Sequence, residues 1–265
     1  MRDGNIREPE REDEIAGAVR RFWDGFLYDD VRVAGHPSGT KEHFLELEEI
    51  RRGRLDYLPR HVDFGAWRDK RVLEIGCRIG LDLARFARAG ARVTGVELAS
   101  SRLEEARRYF DLLGLPGDFR VMDGEETEFP DGSFDFVYAH GVLPYTPRPE
   151  RMVAEIRRLL APGGGFFLMV YNRTSWLTLL SKLTGKNLRH EEAPVFRSYS
   201  PRTLRKLFDG FAEVEIARER FPTATGLHRG AAARLGYSAL LGLFRVLPRR
   251  LVRPFGAHLL VKGVR

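Results

Sequence analysis

Cysteine is nearly absent: Cys77 is the only one in 265 residues. No disulfide can form within the chain, and a reducing cytoplasm is the expected setting. No apolar run approaches the roughly 18 residues of a membrane span. The opening residues, MRDGNIREPEREDEIA, lack the apolar segment of a secretory leader. No CxxC, HExxH or similar cluster is present, so no metal is expected. GxxxxGK followed by Ser or Thr is also missing, which argues against a P-loop nucleotide site. Acid is missing from one end of the chain. Glu219 is the last acidic residue, and the stretch from Arg220 to Arg265 holds nine Lys or Arg. The remaining 219 residues carry 35 basic and 37 acidic side chains, so the whole excess behind the +7 net charge lies in the last 46 residues. Such asymmetry favours an anionic partner: an acidic substrate, a lipid surface or a nucleic acid. Arginine-rich composition accounts for 38 of the 44 basic residues, but not for the missing acids.

The apolar fraction of 43% is enough for a packed core. Residues 70–98 are the most informative. Val72-Leu73-Glu74-Ile75 runs into a turn, Gly76-Cys77-Arg78-Ile79-Gly80; a helical pattern follows, then an apolar run from Val93 to Leu98 that contains Glu97. Strand, glycine turn, helix and strand make one βαβ nucleotide-binding unit. Glu97 follows Gly76 by 21 positions, near the spacing at which a carboxylate accepts from ribose hydroxyls.

The pattern predicts strands at 71–76, 92–98, 119–123, 134–140 and 165–171, with helices over 80–89, 100–113 and 149–160. Ala161-Pro162-Gly163-Gly164-Gly165 ends the last of these helices and turns into a strand. A helix at 201–210, a strand at 212–218 and a final apolar run, His258 to Val264, continue the series, the last two as an antiparallel pair. Alternation of this kind implies a parallel sheet covered by helices. Residues 1–69 read as helical, with Ile15, Ala18, Val19 and Phe22 at helical spacing. Inserts fall at 173–200, where Ser175 to Leu183 suits a short helix, and at 221–257. In the second, Arg234 and Arg245 share one helix face and leave most of the rest apolar.

The glycine turn departs from G-x-G-x-x-G: Arg78 takes the third position and Leu81 the sixth. The pyrophosphate fingerprint is broken, so a ligand with an adenosine but no phosphates fits better. VLEIGCRIG, VTGVELASSRLEEAR, FRVMDGEETEFPDGSFDFVYAHGVLPY and LLAPGGGFFLMVYN then stand in order. Together they resemble the motifs of the class I S-adenosylmethionine-dependent methyltransferases, and the fuller pattern resembles bacterial small-molecule methyltransferases. The resemblance covers roughly residues 70–172. It implies a Rossmann-like, doubly wound, mainly parallel α/β sheet of seven strands whose last is antiparallel, a helical cap over 1–69 and a cofactor-binding domain over 70–265. It implies S-adenosyl-L-methionine as cofactor, held by Glu74, Gly76, Cys77, Arg78, Gly80, Glu97, Leu98, Asp123, Gly124, Glu125 and His140. Glu97 matches the ribose-binding acid, and Asp123 with Gly124 matches the pair at the adenine edge. Arg78 replaces a glycine of the family's turn; it either swings outward, contacts the methionine carboxylate or crowds the pocket. Cys77 has no paired base and reads as a small residue filling the turn.

Methyl transfer from a sulfonium needs a base only where the acceptor must lose a proton. The candidates are His140, Tyr145, Tyr171 and His190. Each has the competing reading of a packed or hydrogen-bonded residue. The expected partner is a small-molecule acceptor, lipid-like or anionic among the options. An RNA or protein methyltransferase and a non-catalytic cofactor-binding protein are the alternatives. No aromatic stacking surface or recognised module accompanies the basic charge, which argues against nucleic acid. The 221–257 insert admits four roles: a lid, a homodimer surface, an amphipathic helix on an anionic membrane, or a helix packed over the sheet.

Overall fold

A computed structural model describes residues 8–25, 35–184, 192–222, 237–238, 241–244 and 246–265. His190 and the Arg234–Arg245 helix face lie outside the described residues. Two helices lead: α1 (Glu8–Gly25) and α2 (Lys41–Arg54). Thr40 caps α2 by accepting from His43 N at 3.3 Å, and the helix buries Phe44 and Leu47. Then come β1 (Arg71–Ile75), α3 (Leu83–Arg88), β2 (Arg92–Glu97), α4 (Ser100–Leu113), β3 (Asp118–Val121), β4 (Phe134–His140), α5 (Pro149–Leu159) and β5 (Leu160–Tyr171). The chain continues through α6 (Trp176–Thr184), α7 (Pro201–Leu207), β6 (Ala212–Glu219) and β7 (His258–Val264).

The seven strands form one sheet in the order β3-β2-β1-β4-β5-β7-β6. β7 runs antiparallel to both neighbours, β5 and β6, and the other pairings are parallel. The doubly wound α/β sheet with an antiparallel last strand is therefore as the sequence implied. Strand alternation divides the core. Val72, Phe136, Tyr138, Phe167 and Leu260 face α3 and α4, whereas Leu73, Val137, Leu168 and Val261 face α5 and α7. β1 and β4 lie in mid-sheet, covered on both sides, so they read as nearly unbroken apolar runs.

Three boundaries differ from expectation. β5 begins at Leu160 instead of residue 165. Gly163 takes a left-handed φ of 74°, and the pairing is irregular between Phe134 and Phe136, so the glycines sit inside the strand as a bulge. β3 ends at Val121, and Asp123 lies in the turn beyond, bridged to Glu126. α3 spans Leu83–Arg88 because the turn from Gly76 to Asp82 takes the first residues of the predicted helix. Among the described residues, no helix is long and apolar enough to cross a membrane.

Candidate active site

A cleft runs along the carboxyl edge of the parallel strands, where open α/β sheets bind ligands. One half lies over β1, β2 and β3 and is lined by Glu74, Gly76, Arg78, Glu97, Asp123 and Gly124. The other lies over β4, β5 and the β6–β7 end, where His140, Tyr145, Tyr171, Arg220 and His258 line it. α1 contributes Ala16, Val19 and Trp23. Trp23 meets Tyr145 edge-to-face at 4.9 Å.

The first half is built around close backbone approach. Gly76 has φ 69°, and a Cβ there would lie 2.4 Å from Val142 Cγ2. A Cβ on Gly124 would lie 2.4 Å from Ile75 Cγ2. Arg78 also has a left-handed backbone, φ 50°. That conformation explains why a glycine suits the position, and it turns the Arg78 N–H onto Glu97 Oε2 at 3.0 Å. Glu97 Oε1 accepts from Leu98 N at 2.8 Å and Ala99 N at 3.1 Å. Burial still pushes the Glu97 carboxyl above its ordinary pKa, against the pull of these amides. Burial does the same to Asp123, with the Glu125 charge adding to it. Glu74 is 3% exposed and its Oε2 has no hydrogen-bond partner. Its carboxyl is held well above the usual range by burial and then by the Asp82 charge.

Asp82, two residues after Gly80, anchors the wall between the halves. It pairs with Arg51 of α2 and accepts from the Tyr138 hydroxyl at 2.7 Å. Burial works against its ionised form, but Arg51 outweighs burial and holds the carboxyl well below the usual range. The second half carries a hydrogen-bonded chain of one guanidinium, two histidines and a tyrosine. Arg220 Nη1 lies 2.9 Å from His258 Nε2. A guanidinium can only donate, so that nitrogen accepts, and the His258 proton sits on Nδ1. Nδ1 in turn donates to the Tyr57 oxygen at 2.5 Å, and the Tyr57 hydroxyl faces His140 Nε2 at a long 3.5 Å. Burial lowers both histidines: His258 well below its usual value and His140 to about 3, with nearby arginines adding to the effect. Both rings are neutral at pH 7.

Residues 73–168 match a family model described as a methyltransferase domain. The ubiquinone biosynthesis O-methyltransferase of Chromobacterium violaceum is 36% identical over 140 residues, 52% of this chain and 59% of that protein. Residues 73–168 are a methyltransferase domain. The ubiquinone biosynthesis O-methyltransferase of Xanthomonas oryzae pv. oryzae is 32% identical over 172 residues, 64% of each chain. The chain thus spans about three-fifths of the length of the curated relatives it matches. The structure of Haemonchus contortus phosphoethanolamine N-methyltransferase 2 in complex with S-adenosyl-L-methionine aligns with a TM-score of 0.59 at 18% identity. That alignment covers 93% of this chain and 60% of the other, and bears on the fold alone.

Most of the site residues singled out from sequence meet in this cleft. Glu74, Gly76, Cys77, Arg78, Glu97, Leu98, Asp123, Gly124, His140, Tyr145 and Tyr171 all line it. Gly80 does not: its φ is 76°, and a Cβ there would meet Phe110 at 3.0 Å, so it serves the packing of α4 under the turn. Glu125 is buried away from the cleft, accepting from Thr146 Oγ1 at 2.8 Å and Arg148 N at 2.7 Å while pairing with the Arg148 guanidinium. It braces the segment after β4. Cys77 is buried with its Sγ 2.7 Å from where a Gly95 Cβ would lie, and burial raises its thiol pKa, so it is a filler and not a nucleophile. Sequence reasoning missed Arg51, Tyr57, Asp82, Arg220 and His258. A signal existed for His258: the first residue of an antiparallel strand lies at the same edge as the last residues of the parallel ones. Arg51 reaches the site from α2 and Tyr57 from the turn after it, and no local motif marks them.

Proposed function

We propose that this protein transfers a methyl group from S-adenosyl-L-methionine to a small-molecule acceptor. The observation that carries the reading is the convergence of Glu74, Glu97 and Asp123 on a cleft floored by the left-handed turn at Gly76. Three acids around one half of a buried cleft suit a ligand that brings its own positive charge and a ribose. Glu97 uses three acceptor sites on backbone amides, and a carboxylate has about four, so one remains for a ribose hydroxyl. The unpartnered Glu74 Oε2 suits the ligand's ammonium group. Asp123, beside Gly124, is disposed to accept from the adenine amine. When bound, the cofactor supplies a methyl carbon already activated by its sulfonium.

The protein's share is alignment and exclusion of water. Trp23 and Val19 of α1 cover the cleft, which supports reading residues 1–69 as a cap on a catalytic domain spanning 70–265. Tyr145 and Tyr171, with hydroxyls 3.4 Å apart, are the residues we propose to relay the acceptor's proton where one must leave, one hydroxyl accepting it while its own passes through the other to solvent. His140 is set aside as the base, since its Nε2 faces Tyr57 and burial pushes its pKa down to about 3. The relatives' name, O-methyltransferase, favours an oxygen acceptor. Peripheral membrane contact by the 221–257 insert is supported by exposed Leu243, Val246, Leu251 and Phe255 beside exposed Arg250 and Arg253.

The reading is tested by incubating the protein with methyl-labelled cofactor and a panel of hydroxylated small molecules. Label should pass to at least one of them with matching formation of S-adenosylhomocysteine. A protein that binds neither the cofactor nor its product, and transfers no label, contradicts it.

A further inference from the structure

We propose that the second half of the cleft takes an acceptor bearing a carboxylate, and that Arg220 is the residue that selects it. The inference rests on the methyltransferase reading and adds the charge class of the acceptor. Arg220 follows directly on β6 with a left-handed φ of 59°, a conformation that disfavours any residue with a Cβ. Its backbone is clamped there: the Arg220 carbonyl accepts from Trp176 Nε1 at 2.8 Å and from Ala257 N at 3.2 Å. The side chain lines the cleft and is half-buried. Strain of this kind persists where the surrounding structure holds it, and such residues cluster at ligand sites.

The guanidinium has no carboxylate partner among the described residues. Its hydrogen bond goes to His258 Nε2, a neutral nitrogen. The neighbouring acid, Glu219, is occupied by His61 at 2.9 Å and Arg60 at 3.1 Å. Asp82 is taken by Arg51, while Glu74, Glu97 and Asp123 line the other half of the cleft. The chain from Arg220 to its last residue contains no acid. A partly buried cation is thus left with donors to spare, in a protein that pairs partly buried Arg51 with Asp82 and buried Arg102 with Glu105. A carboxylate on the ligand supplies the missing charge in a geometry that suits a guanidinium fork. One guanidinium beside neutral histidines matches a single negative charge better than a phosphate dianion.

The walls define the rest of the acceptor. Tyr171 lies 5.7 Å from the His258 ring and 5.7 Å from Phe196, and Tyr145 lies 5.8 Å from Phe196. Such walls suit a flat, aromatic body. A carboxylate held by the guanidinium has its lone pairs engaged, so it acts as the handle and the methyl goes to another atom of the acceptor.

The test uses the full chain saturated with S-adenosylhomocysteine and titrated with benzoate, phenylacetate and 3-phenylpropionate, each against its amide, with phenyl phosphate alongside. At least one acid should bind about tenfold more tightly than its amide, the scale of one charge-assisted hydrogen-bond pair. Arg220→Gln should abolish that preference, and Arg220→Lys should keep part of it. Affinity for S-adenosylhomocysteine should stay within about twofold in both, which also shows that the variants fold. Acids that bind no better than amides, no binding by any acid, a preference that survives Arg220→Gln, or tighter binding of phenyl phosphate each overturn the inference. Failure of S-adenosylhomocysteine itself to bind sinks the underlying methyltransferase reading instead.

Discussion

Arg78 shows how one residue can depart from a family pattern and still preserve its geometry. The turn after β1 needs a left-handed backbone at this position, which a glycine adopts without cost. Arginine accepts the same φ, 50°, and keeps its amide on Glu97. The left-handed conformation costs a non-glycine residue about 1–2 kcal/mol, and glycine gives back about 0.5–1 kcal/mol through its freer unfolded chain. Arg78→Gly is therefore expected to stabilise the fold by about 0.5–1 kcal/mol in a urea titration. A loss of stability would mean that the arginine side chain, and not the turn, sets the balance. The same reasoning shows why the acid row was legible in sequence. Glu97 and Asp123 are marked by position after a strand and beside a turn, whereas Gly80 is a glycine for Phe110 and not for a ligand.

At the scale of elements, α2 is fastened to the sheet through an ion pair whose carboxylate is buried. Arg51 of α2 reaches Asp82 at the entry to α3, and Tyr138 of β4 donates to the same carboxylate. Asp82→Asn removes one charge and leaves the Arg51 guanidinium without its partner. Breaking a buried pair in this way costs about 3–5 kcal/mol. The expected result is a matching fall in unfolding free energy, with loosened packing of α2 seen as faster amide exchange there. A change under about 1 kcal/mol would show that α2 is held by its apolar contacts, Phe44 and Leu47, alone. This fastening was not legible in sequence, because the partners are distant in the chain and neither belongs to a motif. The strands were, because apolar runs of five to seven residues bounded by turns leave few alternatives in β1, β2, β4 and β7. β5 was misjudged at its start because glycines read as a terminator also fit a bulge.

Across the whole molecule, the neutral histidines of the cleft link stability to pH. His258 and His140 have folded pKa values below the ordinary 6.5, the latter at about 3. Between those values the unfolded chain binds protons that the native protein does not, so stability rises with pH there. It is lost as pH falls below about 6.5, by up to about 1.4 kcal/mol per unit for each histidine. Denaturant titrations from pH 7 to 5 should show that slope, and His258→Gln should flatten it; an unchanged slope in the variant would place its origin elsewhere. The acid-free stretch after Glu219 was visible in the sequence, but only the folded β6–β7 end brings Arg220 to the cleft.

The central claim is that the β1–β3 half of the cleft is an S-adenosyl nucleoside site organised by Glu97. Calorimetric titration of S-adenosylhomocysteine into the wild-type protein and into Glu97→Ala tests it most directly. The account predicts one site per chain in the wild type and a loss of about tenfold or more in the variant, the scale of a charge-assisted hydrogen bond. Equal affinity in the two proteins, or no binding to the wild type, would contradict it.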